Sequence, residues 1–158
     1  MIARVFFGGR RIEAITAVGA VECACGGYAA VSAIPAAGID IVFGNEDEVA
    51  TLLETSSHEA TMDALVGYEN LFSITRSDKG SVTKLGSKIV FQNATPIDNL
   101  VDTTGAGDAF NAGFAVALTE KQNIKDAISF ASATAGLSTT RIGTANSMPS
   151  REEIDKII

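Results

Sequence analysis

Apolar and polar positions alternate legibly only from Gly38 onward. Ile39-Asp40-Ile41-Val42-Phe43 is a short β-rich run of the kind a buried parallel strand carries. Asn45 follows, then Glu48 and a helical pattern of Val49, Leu52 and Leu53 ending near Glu54. A second helix is predicted from His58 to Val66, stopped at Gly67. Leu71–Thr75 reads as the next strand and runs into the polar loop 76–80. Val82–Leu85 and Lys88–Phe91 flank Gly86-Ser87, a pairing that suits a two-residue type II′ hairpin. An extended piece, Ile97–Val101, delivers the chain to Asp102, so that a polar strand end is expected there. Helices follow over Ala106–Leu118 and from an N-cap at Asn123, the latter with Ile124, Ala127, Ile128, Ala131 and Ala135 at helical spacing. Ser150 with Glu153 marks a capping box opening a last helix. Strands alternating with helices predict an α/β fold with a mostly parallel, helix-flanked sheet. Ligands of such sheets sit beyond the strand carboxyl ends.

Residues 1–37 give no clean period: glycine pairs at Gly8-Gly9 and Gly26-Gly27, an Arg10-Arg11 pair and many alanines leave the segment unassigned. Two parts are therefore expected, an atypical 1–37 and a patterned 38–158. The change at Gly38 suggests that the first part comes from a truncated or shifted reading frame.

The informative stretch is Asp102-Thr103-Thr104-Gly105-Ala106-Gly107-Asp108, followed by the apolar helix opening Ala109-Phe110-Asn111-Ala112-Gly113-Phe114. A glycine-bracketed turn into a helix aims several N–H groups and the helix dipole at one spot, which suits an anion. Asp108 places a carboxylate beside it. An anion cradle next to a base is what phosphoryl transfer to a hydroxyl requires. An acid in the first helical turn is also stabilised by the macrodipole without any catalytic role. The chain has no Gly-Lys dipeptide, so no Walker loop. Phe110 stands where a dinucleotide fingerprint needs its third glycine, so that motif fails too.

The composition agrees with a phosphate site made of backbone rather than lysines. A 158-residue chain with 46% hydrophobic and 20% charged residues can bury a core. A net charge of −7 argues against nucleic acid and anionic membranes as partners. Cys23 and Cys25 with the lone His58 are too few for a zinc site and read as free thiols. No apolar run reaches the roughly 18–20 residues of a membrane span, and Glu13 and Glu22 interrupt the early apolar stretch, so a cytoplasmic location is expected.

Asp102 to Asp108 with its helix resembles the C-terminal signature of the ribokinase-like (PfkB-type) carbohydrate and nucleoside kinases, and supporting similarities run from about Ile39 to the C-terminus. The resemblance implies an ATP-dependent phosphotransferase acting on an alcohol of a sugar or nucleoside. Asp108 would then be the base and the Gly105, Ala106 and Gly107 amides the anion hole. Asn45-x-x-Glu48 is similar to the family's Asn-x-x-Glu motif, which organises Mg²⁺ and phosphate through water; it equally fits a capping box, and both can hold at once. Thr75-Arg76-Ser77-Asp78-Lys79-Gly80 lies where the family carries Thr-x-Gly-x-x-Gly over the nucleotide, with Ser77 replacing the middle glycine. That replacement is costly if the position needs positive φ; an ordinary surface turn is the alternative. Asp102 and Thr104 with Ser138, Arg141, Gly143 and Ser147 resemble a monovalent-cation (K⁺) site built mostly from carbonyls, while Asp102 reads equally as a turn residue. The small residues Ala131, Ser132, Ala133, Ala135 and Gly136 would form a wall for adenine, or simply a tightly packed helix.

Family members are longer and contribute a Gly-Gly-x-x-x-Asn sugar element, a further acidic contact and a lid sheet from an N-terminal half. The first asparagine here is Asn45, so neither early glycine pair can open that element. The resemblance therefore implies a ribokinase-like α/β fold with the N-terminal half and lid missing. The alternative function is a truncated, non-catalytic nucleotide-binding module. Uncovered sheet edges in such a half-domain would favour a homodimer.

Overall fold

In the computed structural model, residues 5–7, 10–12, 15–17, 40–120 and 122–158 are described. Cys23, Cys25, Gly8-Gly9 and Gly26-Gly27 lie outside them. The chain divides into two compact units, one of Arg11–Arg76 with Ser81–Phe91, the other of Met1–Arg10, Ser77–Gly80 and Gln92–Ile158.

Three short strands fall in the segment whose pattern predicts no element: β1 (Val5–Phe7), β2 (Arg10–Ile12) and β3 (Ile15–Ala17). β3 is the first strand of the sheet unit, which continues through β4 (Ile41–Asn45), β5 (Leu71–Thr75), β6 (Ser81–Leu85) and β7 (Lys88–Gln92) in that order. β3, β4 and β5 are parallel, and β5 and β6 antiparallel. The parallel, helix-flanked part of the sheet thus runs through β3, β4 and β5 as expected, and the sheet turns antiparallel at β6, because the short loop after Thr75 leaves no room for a crossover helix. Gly86 has φ +56°, the conformation the two-residue turn at Gly86-Ser87 demands.

Strand alternation gives the sheet two faces. Val42, Phe72, Ile74 and Val82 pack with Val49 and Leu52 of α1 (Glu46–Leu52) and Leu65 of α2 (His58–Leu65). Phe72 is fully buried, worth about 1.5–3 kcal/mol relative to exposure. α2 stops at Leu65, one residue short of the expected Val66, which caps it. The opposite face carries Ile41, Phe43, Ser73 and Thr83, with the Ser73 and Thr83 hydroxyls bonded at 2.9 Å. Lys84 is buried too. Its ammonium donates to the Tyr68 carbonyl, and burial pushes its pKa down while Glu69 pulls it up.

The second unit is built on α3 (Ala106–Thr119) and α4 (Ile124–Ser138), with Asn123 capping α4 through bonds to the N–H groups of Lys125 and Asp126. A Cβ on Gly113 would lie 2.6 Å from Thr134 Oγ1 and 3.1 Å from Ala131 Cα, so the two helices approach as closely as glycine allows. α5 (Arg151–Ile154) opens with the expected Ser150–Glu153 capping box. Arg151 stacks 5.0 Å over the Phe130 ring and pairs with Glu120 and Asp155.

No strand leads to Asp102. Residues 93–103 form no ladder; four of their groups bond α4 and its end instead. Thr95 and the Asn93 carbonyl bond Ser132, and the N–H groups of Val101 and Asp102 both donate to the Thr139 carbonyl. Gly136 is covered by Thr95 and Ile97, the nearest atom 3.1 Å from where its Cβ would be. At Ser132 and Gly136 the small-residue face of α4 therefore packs this segment.

Candidate functional site

Asp102 anchors the helical unit's loops. Its Oδ1 accepts the Thr104 N–H at 2.9 Å and its Oδ2 the Gly143 N–H at 3.0 Å. The Gly143 N–H, then Thr104, hold this half-buried carboxyl down to about 2, from 3.8. Gly105 has φ +80°, and a Cβ there would meet Thr144 Cγ2 at 3.0 Å. Glycine is thus required twice, by the turn and by the approach of the 143–144 loop.

That turn launches α3. The Ala106 N–H donates to the Thr103 carbonyl at 3.1 Å and is part of the turn itself. Among the described residues the N–H groups of Gly107 and Asp108 meet no protein acceptor, as first-turn donors of a helix do not. A Cβ on Gly107 would meet nothing within 4 Å. Internal packing does not call for glycine there, and the space beside it is open. The Asp108 carboxylate is exposed in the same turn.

The 141–147 loop is held from its other side by Arg141, whose guanidinium pairs with Glu153. The Ser150 N–H, then Arg141, lower the Glu153 carboxyl to about 2. With its side chain so engaged, Arg141 can offer a cation only its carbonyl. Ser138 and Ser147 are buried, and their hydroxyls donate to Ala135 and Thr144 carbonyls at 2.8 and 2.7 Å.

In the sheet unit, Asn45 and Thr75 are register partners at the carboxyl ends of adjacent parallel strands. Asn45 Oδ1 accepts the Glu48 N–H at 2.9 Å and Glu48 Oε2 accepts the Asn45 N–H at 2.8 Å, a complete capping box. Glu48 Oε1 takes no part in it. Beside the box lies a contact that no sequence motif announces: Glu46 Oε1 accepts from Arg76 Nε at 2.8 Å and meets His58 Nδ1 at 2.9 Å. Acid, arginine and histidine at strand and helix ends were the available signal, but nothing in their spacing joins them.

The loop after Thr75 forms a 3₁₀ turn at Ser77–Lys79. Ser77 does adopt the left-handed region, φ +55°. Gly80 has φ +87°, and a Cβ on it would lie 2.0 Å from the Gln92 carbonyl oxygen. Among the described residues no three His, Cys, Asp or Glu side chains cluster as a metal site, and no helix is long and apolar enough to cross a membrane.

A family model described as pfkB family carbohydrate kinase matches residues 26–151, starting ahead of the point where the pattern becomes legible. The ribokinase of Bacillus subtilis (strain 168) is 39% identical over 117 residues, 69% of this chain and 40% of that relative. The structure of Arabidopsis thaliana ribokinase complexed with ribose and ATP aligns with a TM-score of 0.71 and 34% identity, over 76% of this chain and 41% of that one. Fructokinase from Vibrio cholerae, in a form binding fructose, ADP and calcium ion, gives 0.71 at 26% identity, over 80% and 44%. The chain thus spans about 40% of the length of the ribokinases it matches.

Proposed function

Because the chain belongs to the pfkB family of carbohydrate kinases, we propose that it supplies the phosphate-handling and proton-accepting groups of an ATP-dependent sugar kinase. The observation that carries this reading is the first turn of α3. Two backbone donors without acceptors among the described residues, Gly107 and Asp108 N–H, stand beside open space and next to an exposed carboxylate.

The acceptor is an alcohol of a sugar, the class to which ribose and fructose in the related structures belong; a nucleoside alcohol has the same chemistry. Asp108 takes the proton as the hydroxyl oxygen forms its bond to the γ-phosphorus and the bond to the β–γ bridging oxygen breaks, releasing ADP. The free amides of the α3 turn, with Gly105 providing the bend, stabilise charge on the transferring group. Ala106 contributes by closing the turn, since its own N–H is spent on Thr103.

Thr75, Ser77 and Gly80 serve the nucleotide, and Asn45 helps order its phosphates. Mg²⁺ fits Glu48 through water, because the capping box orients the carboxylate while leaving Oε1 out of it; bound there, it would neutralise phosphate charge. A monovalent cation such as K⁺ fits Asp102, whose two oxygens are each aimed by one N–H, with Thr104, Ser138, Gly143, Ser147 and the Arg141 carbonyl as companions. The patterned part of the chain, 38–158, carries all these groups; a cytoplasmic, dimeric protein is the setting we propose.

A second reading is nucleotide binding without turnover. ADP release from Mg-ATP across ribose, fructose and adenosine, with Asp108→Asn beside the wild type, separates them. Acceptor-dependent release lost in the variant supports the kinase; nucleotide binding with no release for any acceptor supports the second reading.

A further inference from the structure

Two hydroxyl pairs face each other across β5 and β6. Ser73 is opposite Thr83, and Thr75 is opposite Ser81. Directly opposed residues of an antiparallel pair point to one side, their Cβ atoms about 4.5–5.5 Å apart. In the first pair the hydroxyls are joined at 2.9 Å. In the second they are not. Ser81 is 2% exposed, and its hydroxyl has no hydrogen-bond partner among the described residues. Thr75 reaches the Gly44 carbonyl instead, at 3.5 Å, the outer limit of a hydrogen bond.

A buried hydroxyl without a partner opposes folding, and its retention calls for a reason. This one lies across from the residue assigned to the nucleotide and directly after Gly80 in sequence. We infer that Ser81 is a positioning residue for Thr75, donating to Thr75 Oγ1 when Thr75 donates to a nucleotide phosphate oxygen; the inference rests on the nucleotide reading of Thr75.

The chemistry is economical. Each hydroxyl carries one proton and two lone pairs. With Thr75 turned from Gly44 to phosphate, Oγ1 presents a lone pair to Ser81, as Ser73 and Thr83 already share one. The row Ser81 O–H to Thr75 O–H to phosphate is polarised in one direction, so each bond strengthens the next. Ser81 is closed off from solvent and never touches the ligand. Its orphan state without nucleotide and its satisfied state with it favour the bound form.

The test is binding of the magnesium complex of the imido analogue of ATP by calorimetry, together with melting of the unliganded chain. Wild type, Ser81→Ala, Thr75→Val and the double variant are compared. Ser81→Ala is expected to melt at or above the wild type, since it deletes an unpaired group, yet to bind about three- to tenfold more weakly. In the Thr75→Val background it should bring no further loss. Ser81→Cys, a near-isostere with a weak donor, should lose affinity in the same way. A Ser81→Ala chain that melts lower and binds as well as the wild type overturns the inference, making the hydroxyl structural. An equal loss in both backgrounds overturns it too, since Ser81 then acts without Thr75. A wild type that binds no nucleotide brings down the nucleotide reading and this inference together, whereas normal wild-type binding with an indifferent Ser81→Ala brings down the inference alone.

Discussion

Asp102 accepts the backbone N–H of Gly143 at 3.0 Å across 41 residues of sequence, and it is this bond that ties the start of the α3 turn to the loop after α4. The lowered carboxyl pKa makes the tie pH-dependent. A group held at about 2 when folded and near 3.8 otherwise contributes stability above about pH 4 and loses it as pH falls toward 2. Glu153 titrates over the same range, so the comparison must be a difference. Asp102→Asn should unfold at lower urea than the wild type at pH 6, and most of the gap should be gone by pH 2. A gap independent of pH would refute the carboxylate's role.

Two glycines should respond in opposite ways to alanine. At Gly80, positive φ and a Cβ 2.0 Å from the Gln92 oxygen both oppose a side chain, so Gly80→Ala should cost about 2–5 kcal/mol in chemical denaturation. Gly107→Ala meets no atom and favours helix, so its stability should match or exceed the wild type by up to about 1 kcal/mol. Its nucleotide affinity should nevertheless fall, because the methyl group occupies the open space beside the free amides. Retained affinity would move the phosphate elsewhere.

Ser77→Gly removes a side chain from a left-handed backbone, at φ +55°. Relief of about 1 kcal/mol is partly offset by the added freedom of the unfolded chain, so a melting temperature equal to or slightly above the wild type is expected. A clear drop would mean that the serine hydroxyl has a structural task.

Asn45→Ala deletes one arm of the capping box and should cost about 1 kcal/mol by urea denaturation. It should also raise the Mg²⁺ concentration needed for nucleotide binding, because Glu48 loses the partner that orients its turn. Loss of stability with unchanged Mg²⁺ dependence would leave Asn45 a cap and nothing more.

Asp108→Asn keeps the shape and removes the proposed proton acceptor. ADP release should fall about 100- to 10,000-fold while the melting temperature stays close to that of the wild type. An active variant would end the base assignment.

Local rules carried much of the structure. Asn45, Asn123 and Ser150 each cap the helix their spacing announces, because a cap is a bond between residues two or three apart. The strand at Leu71–Thr75 and the hairpin turn at Gly86-Ser87 follow from alternation and glycine for the same reason. The α3 motif was legible as a turn, an acid and a helix, and so was the family it resembles.

Contacts that join distant residues were not legible. Pattern predicted a strand end before Asp102, yet the Val101 and Asp102 N–H groups go to Thr139, a choice made only once α4 lies alongside. The β3 strand is three residues long and has no period of its own; pairing with β4 makes it a strand. That Ser77 bears positive φ, that Gly105 is pressed by Thr144 and Gly107 by nothing, and that Ser81 is left without a partner are likewise outcomes of packing. By itself the sequence determined the caps, the turns, most helices and the order of the chemical groups, since these depend on near neighbours. The tertiary structure alone decided which N–H groups are spent and which stay free, because a donor's partner is whatever folding brings within about 3 Å of it.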